Sequence, residues 1–240
     1  MKSLKQYIIE SLNTPKNVEA VQLKAEEYIN ANYTVSGKLS FESVNGVCVV
    51  NCDGDVEVKN KEIVKLTDGF VWGTIKGNFN CSGCDNLTSL KGAPEKVGGY
   101  FACYYCSSLK TLEGSPKEVG GDFVCSWCKN LKSLEGAPKK VGGDFFCQSC
   151  ENLKSLEGAP KYVDGNFYSY DCKNLKSLKG GPKEVGKDFA CYYCKNLESL
   201  KGAPKKVGGV FNCTSCENLK SLEGAPEKVR EIKCDARLKN

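Results

Sequence analysis

Sixteen cysteines carry most of the chemistry open to this chain of 240 residues, and they recur in C-x-x-C pairs: Cys81 and Cys84, Cys103 and Cys106, Cys125 and Cys128, Cys147 and Cys150, Cys191 and Cys194, Cys213 and Cys216. Two successive pairs spell C-x2-C-x18-C-x2-C, a spacing that suits four thiolates around one tetrahedral zinc ion. Two observations weaken that reading. The 18-residue gap is what remains when the pair is taken from a repeat length of 22, so the repeat alone accounts for it. In the fifth copy the pair is Ser169 and Cys172. Serine is nearly isosteric with an inward-facing cysteine, whereas a four-thiolate site short of one ligand fails. Buried side by side, thiols act as small, soft apolar groups, and desolvation raises their pKa and makes them inert. The expectation is a structural cysteine ladder, with a metal–thiolate (zinc) protein as the alternative.

Other reactive constellations are scarce. The chain has no histidine, which removes Ser–His and Cys–His nucleophile pairs and every histidine-containing zinc site. Asp53, Asp55, Glu57 and Glu62 lie close together without a spacing that pairs an acid with a base. The expectation is a non-enzymatic protein with no catalytic residue, no metal ligand and no cofactor. The net charge of +5 is spread along the chain and is a weak argument for nucleic acid. The apolar runs are too short to span a bilayer. The first ten residues, MKSLKQYIIE, place charge and Gln where a secretory signal needs an apolar stretch. Together these predict a cytoplasmic protein with reduced thiols and no membrane partner.

A repeat positions the cysteines. Aligned on itself at 22 residues, the chain reads F-x-C-x-x-C-x-N-L-x-S-L-x-G-A-P-x-x-V-G-G-x through seven copies over 79–232. The Phe returns at 79, 101, 123, 145, 167, 189 and 211, and the Pro at 94, 116, 138, 160, 182, 204 and 226. Two leucines return in every copy, such as Leu87 and Leu90. A unit with so few apolar positions cannot bury its own face, but stacked neighbours can. Alternation in G-x-F-x-C sets Phe and the first Cys on one face of a short strand. Pro then interrupts regular structure, and Gly pairs such as Gly98 and Gly99 supply the turn into the next coil. The predicted fold is a repeat solenoid with one short parallel β-strand per coil, a mostly irregular back side and short N-terminal helices. Strands at roughly 4.8 Å spacing would make a sheet about 30–35 Å long.

The unit resembles a leucine-rich repeat, because F-x-C-x-x-C-x-x-L-x-x-L overlays the pattern L-x-L-x-x-(N/C)-x-x-L. The following G-A-P-x-x-V-G-G-x-F is similar to the Treponema-type, or BspA-like, subclass, with Gly-Ala-Pro where Ile-Pro is usual. The resemblance covers about two thirds of the chain and implies a solenoid. The flanks read as caps. Residues 1–35 form an N-terminal helical segment, with Val18, Val21, Ala25, Tyr28 and Ile29 on one side of a helix over 17–32. Residues 36–78 form a β-rich cap in which Val56, Val58, Ile63 and Leu66 mimic the Phe, Cys, Leu and Leu of a degenerate coil. Residues 233–240 form a C-terminal cap and tail, and Ile232-Lys233-Cys234 imitates one last strand.

Positions that stay fixed between coils serve the fold, and those that drift are free to serve something else. The drift concentrates on the outward strand positions and the residues between the cysteines. These hold Tyr100, Tyr104, Tyr105, Trp127, Phe146, Tyr168, Tyr170, Tyr192 and Tyr193. Stacked coils would bring them together as a partner-binding face, since stiff aromatic surface dominates interface energetics. The competing account is that aromatics simply suit strands. On the opposite side Lys110, Lys132, Lys154, Lys176 and Lys220 form one column, and Glu113, Glu135, Glu157 and Glu223 a nearby one. Opposite columns that offset each other predict a solvated back. Few basic residues accompany the aromatics, which argues against nucleic acid.

The N-terminal MKSLKQYIIE resembles the capsid-targeting peptide of internal head proteins in T-even-like phages, with its aromatic-Ile-x-Glu ending. The resemblance implies cleavage between Glu10 and Ser11 and a place in a phage particle. The expected function is thus a protein-binding leucine-rich-repeat module of phage or prophage origin. The alternatives are a virion structural or cargo protein, and the metal–thiolate protein. Self-association through an open solenoid edge is a further expectation.

Overall fold

A computed structural model describes residues 15–238, with side chains from Val18 onward. Phe, Cys and Leu return at one phase every 22 residues, so each coil sets them over those of the coil before. About eight coils stack into a β-solenoid. Each repeat opens with a two-residue front strand. Phe79–Asn80, Phe101–Ala102, Phe123–Val124, Phe145–Phe146, Phe167–Tyr168 and Phe189–Ala190 pair in parallel, Phe against Phe. The seven Phe rings are fully buried. They stack 5.0–5.5 Å apart with planes within 17° of each other, which adds ring–ring attraction to burial.

The back of the coil is more regular than expected. Lys96–Val97, Glu118–Val119, Lys140–Val141, Tyr162–Val163 and Glu184–Val185 form a second parallel column. Its Val side chains are buried and the residues before them exposed. A two-residue strand is too short to show an alternation in sequence, so only stacking reveals it. The two columns fuse in Lys206–Asn212 and Lys228–Lys233, which run through the corner as continuous strands. The register shifts there: Arg230 alone opposes Gly208 and Gly209, and Ile232 lands on Phe211. The seventh coil closes one residue early.

At the Gly of Gly-Ala-Pro close approach of the coils coincides with a left-handed backbone. A Cβ on Gly136 would lie 2.5 Å from the backbone of Leu112 and Glu113, and its φ is 91°. Only glycine meets both conditions. At the corner before five of the seven Phe residues, an Asp or Asn side chain accepts a hydrogen bond from the backbone N–H of its counterpart one coil on. Asp122 accepts from Asp144 (2.7 Å), Asp144 from Asn166 (2.7 Å), Asn166 from Asp188 (2.9 Å) and Asp188 from Val210 (2.7 Å).

Both ends are closed. The one α-helix among the described residues, Pro15–Asn32, buries Ala25 and Ile29, with Val21 and Tyr28 packed against the core. Tyr33–Val35 runs antiparallel to Val56–Val58. Leu39–Val44 and Val47–Cys52 form a hairpin through Asn45 and Gly46, both at positive φ, as a two-residue type I′ turn requires. Val56 is in register with Phe79, and Ile63 and Leu66 are buried, so 56–78 is a coil with Val56 in place of the front-strand Phe. At the far end the Arg237 guanidinium donates to the carbonyls of Cys216, Glu217 and Leu219, standing in for a further coil. No helix among the described residues is long and apolar enough to cross a membrane. The N-terminal peptide, with Glu10 and Ser11, lies outside the described residues.

Candidate functional site

Every cysteine is free, and the second of each pair has a structural task. The Sγ of Cys106, Cys128 and Cys150 donates to the carbonyl of the first cysteine one coil back, Cys81, Cys103 and Cys125, at 3.2 Å. Cys172 donates to Cys147 at 3.3 Å, Cys194 to Ser169 at 3.2 Å and Cys216 to Cys191 at 3.2 Å. Those carbonyls accept no backbone N–H among the described residues. The thiol therefore supplies the donor that a buried carbonyl otherwise lacks. Ser169 fits the ladder because its Oγ donates to the Ala190 carbonyl (3.3 Å), as Cys81 Sγ does to that of Ala102 (3.4 Å). Among the described residues no three Cys, Asp or Glu side chains converge as a metal site. Burial pushes the thiols of Cys81, Cys125, Cys147 and Cys172 well above their ordinary value. It pushes Cys84 up to about 11 and Cys213 up to about 12. A thiol held neutral is a poor nucleophile and a poor ligand.

The outward residues of the front strand and the two that follow the first cysteine gather the aromatics into two clusters. In one, Tyr104 meets Tyr105 edge-on (5.6 Å) and Tyr105 stacks on Trp127 (5.0 Å). In the other, Phe146 stacks on Tyr168 (5.1 Å), which meets Tyr170 edge-on (6.3 Å). Tyr170 stacks on Tyr192 (4.5 Å), which meets Tyr193 edge-on (5.4 Å). Tyr100, at a corner, joins neither cluster and is exposed. Tyr105 and Tyr193 are more than half exposed, at 52% and 54%.

Backbone geometry adds a feature that aromatic residue types do not advertise. The residue before the second cysteine is left-handed in every coil: φ is 69° at Gly83, 56° at Tyr105, 57° at Trp127, 56° at Ser149, 55° at Asp171, 58° at Tyr193 and 58° at Ser215. Gly and Asp tolerate this region, and bulky side chains rarely enter it. Gly83 and Asp171 were the available sequence signal. Between the clusters lie Ser126 and Gln148, both buried, whose Oγ and Oε1 have no hydrogen-bond partner.

Charge is segregated. From each Phe to the second cysteine no coil contains Lys or Arg. On the remaining surface, ion pairs join residues one coil apart within a column: Lys91–Glu113, Lys96–Glu118, Lys117–Glu95, Lys173–Glu151, Lys179–Glu157, Lys195–Glu217 and Lys206–Glu184. The expected offset between the Lys110 and Glu113 columns is not what forms: the Glu113 column pairs along itself, through Lys91–Glu113 and Lys179–Glu157, and the Lys110 column forms no ion pair among the described residues. Exposed pairs of this kind contribute little each. Comparison of the chain with protein-family models, with curated proteins and with solved structures finds no match.

Proposed function

We propose that this solenoid is a non-enzymatic binding module whose aromatic front face docks a protein partner. One observation carries the proposal: Tyr105, Trp127 and Tyr193 occupy a left-handed position where sister coils use Gly, Ser or Asp. Each non-glycine residue there costs on the order of 1 kcal/mol, and the sister coils close without a ring, so the fold does not ask for one. Large rings held at a backbone cost and left exposed suit an interface anchored by Tyr and Trp. The test replaces Tyr104, Trp127 and Tyr192 with Ser and compares proteins captured from host lysate by mass spectrometry. The expected result is an unfolding midpoint close to wild type and loss of a partner that wild type retains. Equal capture by the triple variant removes the aromatic face from the function.

A further inference from the structure

The front face combines aromatic rings with carboxylates that form no ion pair among the described residues. Asp55, Asp122, Asp144, Asp171 and Asp188 border it, and none of them takes part in an ion pair among the described residues. The chain has 34 basic residues against 29 acidic ones, yet none of the basic ones lies between a Phe and the second cysteine of its coil. The nearest in sequence either follow that cysteine, where Lys173 and Lys195 are paired to glutamates, or precede the Phe, as the exposed Lys187 does beside Asp188. An acidic, aromatic strip on a basic protein suits a cationic guest.

The strip is best developed around Tyr168. Asp144 precedes the Phe one coil below it and Asp188 the Phe one coil above. Asn166, two residues before Tyr168 on the same side of the extended chain, sits between these two carboxylates in the corner ladder, and burial first, then their charges, push the Tyr168 phenol above its ordinary value. Each carboxylate gives Oδ1 to the corner ladder. Asp144 also receives the Asn166 amide at 3.0 Å on each oxygen, and Asp188 Oδ2 accepts no hydrogen bond among the described residues.

We propose that Tyr168, with the Tyr170 edge beside it and Asp144 and Asp188 flanking it, seats an arginine or lysine side chain of the partner protein. One face of Tyr168 is covered by Phe146, and the other is turned toward the small Ala190 and the Asp188 corner, so a cation there meets the negative face of a π system beside a carboxylate. This assignment rests on the binding function proposed above and adds the chemistry of the guest.

The probe is fluorescein-labelled octa-arginine, followed by fluorescence anisotropy against the full chain. General electrostatics work against its binding, because the protein is itself net positive, so binding reports a local site. The decisive variant is Asp144→Asn with Asp188→Asn. Asn78 and Asn166 already fill rungs of the corner ladder with an amide oxygen, so this variant keeps the ladder hydrogen bonds; besides charge it gives up the Asn166 amide bond to Asp144 Oδ2, where an amide nitrogen donates instead of accepting, and Asp188→Asn alone loses only charge. The expected result is saturable binding that weakens about tenfold in the double variant and again in Tyr168→Ser. Absence of binding, equal binding by the double variant, or equal binding of an uncharged Gly–Ser octapeptide overturns the cation seat. If the lysate partner is still lost on replacing Tyr104, Trp127 and Tyr192 while octa-arginine fails, the cation seat alone falls. If that partner persists, the aromatic face itself falls.

Discussion

On the inner side of the front strand every coil places the same ring, and Phe79 through Phe211 form one unbroken buried stack. One residue further along the same strand the outer side reads Asn80, Ala102, Val124, Phe146, Tyr168, Ala190 and Asn212, and only Phe146 and Tyr168 stack. Backbone pairing is identical on both sides, so the strand itself does not require outer rings. The inner side is held by repetition, since each ring's neighbours above and below are copies of itself. The outer side is released from that constraint, and there the coils differ from one another.

Raising the pH strikes the inner side hardest. The buried thiols of Cys81, Cys125, Cys147 and Cys172 keep their protons in the folded chain well above the ordinary value of 9.0. The unfolded chain releases them near that value. Above about pH 9 the unfolded state therefore binds fewer protons, and stability falls by about 1.4 kcal/mol per pH unit for each such thiol. Their contribution is complete below the unfolded pKa and is lost as the pH rises toward the folded values. Four thiols together predict a slope of about 5 kcal/mol per pH unit, read from denaturant midpoints measured on either side of pH 9. A flat profile up to about pH 10 would mean that the ladder is open to solvent.

A pair of adjacent substitutions separates the two sides directly. Phe145→Ala opens a cavity between two stacked neighbours and costs about 3–5 kcal/mol. Phe146→Ala removes a half-buried ring and its stack on Tyr168, and costs about 1 kcal/mol. Urea denaturation of both variants measures the ratio, and equal losses would make the outer rings part of the core.

This division also marks what the amino-acid sequence could reveal. Inward residues of the front strand and the bend after it repeat at a fixed phase, so Phe145 and Leu153 were assignable to the interior from periodicity alone, whereas the buried Val163 column was not. The zinc-like spacing of the cysteines could be discounted at Ser169, because a ladder tolerates that residue. The geometric reason for the second cysteine, a thiol aimed at an orphan carbonyl one coil back, depends on stacking register and leaves no local pattern. Column-wise ion pairing was hidden for the same reason: Lys179 and Glu157 are 22 residues apart in sequence and become neighbours only once coils stack. At the face, residue types identified the rings but not their grouping into two clusters. They also left unseen the unpaired Asp144 and Asp188, whose isolation depends on where every lysine points.

The smallest effect tests the backbone beneath the outer rings. In an ordinary extended strand Gly is less stable than Ala by about 0.5–1 kcal/mol, because it loses more conformational freedom on folding. At Trp127, with φ at 57°, the order should reverse. Both Trp127→Gly and Trp127→Ala lose the same stack on Tyr105, so ring packing cancels between them. What remains is the left-handed backbone, which is free for Gly and costs Ala about 1 kcal/mol. Trp127→Gly should therefore unfold at higher denaturant than Trp127→Ala. Phe146, in the front strand beside it, should keep the usual order, with Phe146→Ala above Phe146→Gly. If both positions rank Ala above Gly, no strain is held at Trp127. The rings at this position would then need no binding role to account for them, because an unstrained backbone accepts an aromatic without cost.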